Sequence, residues 1–102
     1  EIILTINKYF SDHYSERFSI PLMSSNTGIS LVRIETAFDT YKGKTAMQAL
    51  LEYRLNRLCD LMAENPSGEI HSQIQWCGLE EFANTNDAFI AHFGIDIVEF
   101  HR

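Results

Sequence analysis

The sequence predicts an α+β domain: about four strands in one mixed sheet, with three helices packed mainly on one face, in the order α-β-β-α-β-α-β. Three observations lead there. Segments 46–64 and 79–93 space their apolar residues by three and four, as amphipathic helices do. Segments 29–38 and 70–76 alternate apolar and polar residues with the period of two of a half-buried strand. Gly, Pro, Asn and Ser gather between these segments, where the chain has to turn.

Taken in order, Ile3, Ile6, Phe10 and Tyr14 form one stripe on a helix over 2–14. Phe18, Ile20 and Leu22 alternate with Ser19 and Pro21, and Ser24-Ser25-Asn26-Thr27-Gly28 follows with hairpin-turn chemistry. Because Pro21 lacks a ladder donor, this first strand is placed on an edge. Val32, Ile34, Thr36 and Phe38 share one face of a second strand over 29–38. Residues 39–45 make a polar connection around Gly43, and Thr45 is placed to cap the next helix.

That helix, 46–64, has Met47, Leu51, Leu55, Leu58 and Met62 as its stripe and Gln48, Glu52, Asn56, Asp60 and Glu64 opposite. Asn65-Pro66-Ser67-Gly68 stops it. Ile70, Ser72, Ile74 and Trp76 alternate with His71, Gln73 and Gln75 as a third strand. A helix over 79–93 ends at Gly94, and Ile95 to Phe100 closes the chain as a strand covered on both faces. No internal repeat is evident.

A chain of 102 residues makes one domain, here 1–102. With 45% hydrophobic residues, including 7 Phe, 4 Tyr and 1 Trp, it is globular and soluble rather than disordered. No apolar run reaches the roughly 18 residues of a membrane span, and no basic-then-apolar start resembles a signal peptide. Cys59 and Cys77 belong to no Cys-x-x-Cys pair, which suits reduced thiols in the cytoplasm. The first residue is Glu1, which reads as a chain processed or cut from something longer.

Charge is the feature that bears on function. From Leu58 to His101 the chain carries Asp60, Glu64, Glu69, Glu80, Glu81, Asp87, Asp96 and Glu99 and neither Lys nor Arg. A folded surface of one sign repels nucleic acid and anionic membrane and steers basic partners toward itself. With net charge −6 the chain lacks the usual basic footprint, so nucleic acid is excluded as a partner. Lys42, Lys44, Arg54 and Arg57 form the one basic stretch, which reads first as ordinary surface charge and otherwise as a face for an anionic partner or for the acidic half of a second copy in a homodimer.

The remaining motifs carry little chemistry. Lys42-Gly43-Lys44-Thr45 ends like a phosphate-binding loop, but the first glycine that motif needs would fall at Phe38. His71, His92, His101, Cys77, Asp96 and Glu99 are metal-ligand types without a metal-ligand spacing. Cys77 ahead of a helix would be an activated thiol if exposed, and a structural one if buried. No catalytic residue, metal or cofactor is assigned.

The reading that follows is a small acidic protein-binding module, such as an inhibitor, immunity or adaptor protein. Its expected partner is a protein with a basic surface, met by Glu80, Glu81 and Asp87 beside a polar strip of His71, Gln73 and Gln75. The alternative is a regulatory or small-ligand-binding dimerisation domain cut from a longer chain, its pocket lying between sheet and helices.

Overall fold

The computed structural model describes residues 1–79 and 82–101, and every regular element in it is a helix. These are α1 (Ile2–His13), α2 (Ile20–Thr27), α3 (Leu31–Lys42), α4 (Ala46–Glu64), α5 (Ile70–Trp76), α6 (Phe82–Phe93) and α7 (Ile97–His101). No strand occurs among the described residues, so the α+β sheet expected from the sequence is corrected to an all-helical fold. The four expected strands are α2, α3, α5 and α7.

Each was misread for a physical reason. Pro21 sits in the first turn of α2, where the backbone N–H has no helical partner to lose. The apparent hairpin turn is the end of that helix, with Gly28 in the left-handed conformation at φ 73. In α3 the buried residues are Ile34, Ala37 and Phe38, a helical spacing, while Val32 and Thr36 of the alternating set are exposed. In α5 the inward positions are Gln73 and Ile74, followed by Cys77, whereas Trp76 is 64% exposed. The true signals were the caps: the Ser19, Ser30 and Glu69 side chains each accept an N–H of the first helical turn.

The chain divides into two compact units, Glu1–Tyr53 and Arg54–Arg102. The first holds α1, α2, α3 and the start of α4 around Ile3, Ile6, Phe10, Ile20, Met23, Ile34, Phe38, Ala46 and Leu50. Phe10 is its centre, with ring centroids 6.2 Å from Phe38 and 5.9 Å from Tyr53. The Asn26 amide donates to the Tyr9 hydroxyl at 3.0 Å and ties α2 to α1. Thr45 and Gln48 form a reciprocal capping box at the start of α4, as the sequence suggested for Thr45. Glu35 of α3 accepts the Ala46 N–H at 2.9 Å and fixes α3 to that start.

The second unit buries Leu55, Leu58, Met62, Ile74, Cys77, Leu79, Phe89 and Ile97. The single stripe expected along α4 therefore breaks near the unit boundary: Ala46 and Leu50 are buried in the first unit, while Met47 and Leu51 are exposed. Asn86 of α6 secures the start of α7, accepting the Ile97 N–H at 2.9 Å and donating to Asp96 at 3.0 Å.

Two carboxylates cap helices of this unit and are held below the usual carboxylate range. Hydrogen bonds from the His71 and Ser72 backbone do so for Glu69; the Asn86 amide and then the Val98 N–H do so for Asp96. A depressed native pKa favours the folded state at every pH above the unfolded value of about 4.3 for Glu, and that contribution is lost as pH falls through the native value. Denaturation midpoints of the parent and Glu69→Gln should therefore differ at pH 6 and converge in acid. A gap that stays constant across that range would show that the charge of the cap contributes nothing.

Candidate functional site

The first unit presents a short helix, a tight turn and a longer helix. Ser24 Oγ donates to the Ile29 carbonyl at 2.6 Å, and Thr27 Oγ1 donates to the Met23 carbonyl at 2.9 Å, so side chains of α2 pin the turn. Gly28 allows the reversal, and Ser30 then starts α3 by accepting the Arg33 N–H. With Ile34, Ala37 and Phe38 turned to the core, α3 exposes Leu31, Val32, Arg33, Thr36, Asp39, Thr40, Tyr41 and Lys42. Val32 is 74% exposed, and Leu31 beside it 41%.

The second unit repeats the pattern. Glu69 caps the short α5, Gly78 takes φ 74 after it, the twelve-residue α6 follows, and Gly94 takes φ 75 at its end. The twelve-residue α3 likewise ends on Gly43 at φ 65. Each unit thus runs in helix–turn–helix order, a capped short helix and then a twelve-residue one, with residues 80 and 81 of the second connection outside the described ones; the recurrence is hidden in the sequence because the two copies share positive-φ glycines rather than residues. The longer helix of such a pair is the one that can enter a DNA major groove.

Charge divides unevenly between the two. The first unit carries Lys8, Arg17, Arg33, Lys42 and Lys44 against six carboxylates, Glu1, Asp12, Glu16, Glu35, Asp39 and Glu52. Lys8 pairs with Asp12, and Lys44 with Glu52. Arg17, Arg33 and Lys42 are exposed and form no ion pair among the described residues. In the second unit Arg54 and Arg57 lie on α4, where Arg57 Nη1 bonds Asp60 at 3.3 Å.

The residues expected to meet a protein partner do not form one strip. His71 and Gln75 are exposed one turn apart on α5, and the His71 ring lies 5.5 Å from that of Phe82. Gln73 points inward at 6% exposure, its amide donating to the Asn65 carbonyl at 3.0 Å. Asp87 is exposed on α6, and Glu80 and Glu81 lie outside the described residues.

Other candidates resolve into structure. Gly43 of the Lys42–Thr45 stretch is the cap of α3, and the first N–H groups of α4 are taken by Glu35 and Thr45. Among the described residues no three of His, Cys, Asp and Glu come together as metal ligands. Cys77 is 1% exposed, and burial pushes its thiol up to about 11 against the fields of Arg57 and Arg54, which leaves it protonated and inert. Among the described residues no helix is long and apolar enough to cross a membrane.

No protein-family model matches the sequence, and no curated protein does. Solved structures do match. A transcriptional regulator from Chromobacterium violaceum, described among AraC-type DNA-binding domain-containing proteins, is 23% identical at TM-score 0.90, over 98% of this chain and 88% of its own. The C-terminal domain of AraT, a response regulator from Geobacillus stearothermophilus, is 17% identical at TM-score 0.86, over 99% and 84%. A probable AraC family transcriptional regulator from Rhodopseudomonas palustris is 19% identical at TM-score 0.84, over 98% and 94%.

This shared helical fold overturns two readings of the sequence. An acidic inhibitor, immunity or adaptor protein that meets a basic protein through its C-terminal half does not stand. Neither does the exclusion of nucleic acid, which treated the net charge as if it were spread evenly over the chain. The pocket expected between sheet and helices has no sheet among the described residues to wall it.

Proposed function

We propose that the chain is the DNA-binding part of a transcription regulator and that α3 is its principal reading helix. The observation that carries this is the exposed face of α3: a helix capped by Ser30 after a pinned turn, with Val32 and Thr36 one turn apart, Arg33 next to Val32 in the chain and Lys42 at the helix end. The likeness in fold to the Chromobacterium violaceum regulator supports it. Residues near the start of the second helix of a helix–turn–helix reach base edges, and cations around them hold phosphates. Val32 and the Thr36 methyl have no hydrogen-bonding fork to offer; their complement in a major groove is the thymine methyl.

The low charge of the first unit sets the affinity regime. With few phosphates neutralised, non-specific binding is weak and discrimination comes from the contact face. Selection of a bound duplex from a random pool at low salt, followed by anisotropy titration, tests the proposal. One sequence class should be enriched, and Val32→Glu should weaken its binding at least about tenfold, or 1.4 kcal/mol. The thermal midpoint should not move, because position 32 is 74% exposed. Failure to enrich any duplex, or full affinity in the Val32→Glu protein, would exclude DNA reading by α3.

A further inference from the structure

The two helix–turn–helix units are alike in backbone pattern and unlike in what their longer helices expose. On α6 the exposed positions are Ala83, Asn84, Asp87, Ile90, Ala91, His92 and Phe93, with neither Lys nor Arg among them. Asp60, Glu64, Glu69 and Glu99 of the same unit are exposed as well. Of the unit's cations, Arg54 and Arg57 lie on α4 and Arg102 lies outside the described residues; burial chiefly lowers Arg54 from its ordinary range. A duplex carries a phosphate charge about every 1.7 Å of axis; α3 sets exposed Arg33 and Lys42 against its one exposed carboxylate, Asp39, whereas the exposed α6 residues include Asp87 and no cation.

We infer that DNA is held by the first unit alone, over a single major groove, and that the α6 face of the second unit stays off the duplex. This rests on the DNA reading proposed above and narrows it. The electrostatic part of binding then comes from Arg17, Arg33 and Lys42. Affinity should fall with log salt at a slope of about −3 or shallower, each released counterion contributing roughly 0.9. A regulator built this way depends on one short site rather than two half-sites a helical turn apart.

The test uses the whole chain on the selected duplex: hydroxyl-radical footprinting, and titration of variants at several salt concentrations. Protection should cover one major groove within about 10 base pairs. Asp87→Ala should bind within twofold of the parent or more tightly. Arg33→Ala with Lys42→Ala should lose at least tenfold and flatten the salt slope by about two. Protection of two successive major grooves, or a tenfold loss in Asp87→Ala, overturns the inference while leaving DNA binding intact. Absence of any selected duplex overturns both.

Discussion

Replacing Phe10 by alanine should cost the first unit about 3–5 kcal/mol, the range for removing a buried ring that its surroundings cannot close over. Phe10 is 1% exposed and lies between Phe38 of α3 and Tyr53 of α4, so its ring is the common contact of three helices. The aromatic pairs add about 0.5–1.5 kcal/mol each beyond area burial. Circular dichroism during urea denaturation would register the loss as a lower midpoint. A cost below about 1 kcal/mol would mean that the helices collapse onto the gap, and would remove Phe10 as the organiser of α3.

In the second unit the corresponding experiment is Leu55→Ala, expected to cost about 2–5 kcal/mol. Leu55 is 1% exposed, with Leu58 and Met62 on the same side of α4 at 0% and 3%. The neighbouring Leu51 is 39% exposed, so Leu51→Ala is the control and should cost well under half as much. Equal costs for the two would show that the buried stripe of α4 does not break where the units divide.

Helix α4 was legible to the residue, because Thr45 marks its start, Asn65-Pro66 its end, and nineteen residues are too many for a strand. Helix α1 is legible by its spacing; α6 is legible as a helix, but Ala83, Ile90 and Phe93 of its expected inner stripe are exposed and Thr85 is buried instead. The short α5 was not: seven residues in which Ile70 and Ile74 fit both periods give periodicity nothing to decide with. Only Glu69, two and three residues ahead of the N–H groups it accepts, pointed to a helix start.

The site was misjudged for a different reason. The net charge of −6 sums two halves that differ, and the carboxylates that follow Leu58 outweigh the exposed Arg33 and Lys42 on α3. Val32 was placed on a buried strand face. In the helix it is exposed, on the face that the proposed DNA reading uses.

The carboxylate caps bear on how such a module could be altered, by selection or by design. Glu69 and Asp96 hold the opening N–H groups of α5 and α7, so exchanging either for a cation to attract phosphate would undo a helix start at the same stroke. Glu64 and Asp87 are exposed, cap nothing among the described residues, and form no ion pair there. A lineage that recruited the second unit to DNA would have to acquire its cations at positions of that kind first, where the exchange leaves folding untouched.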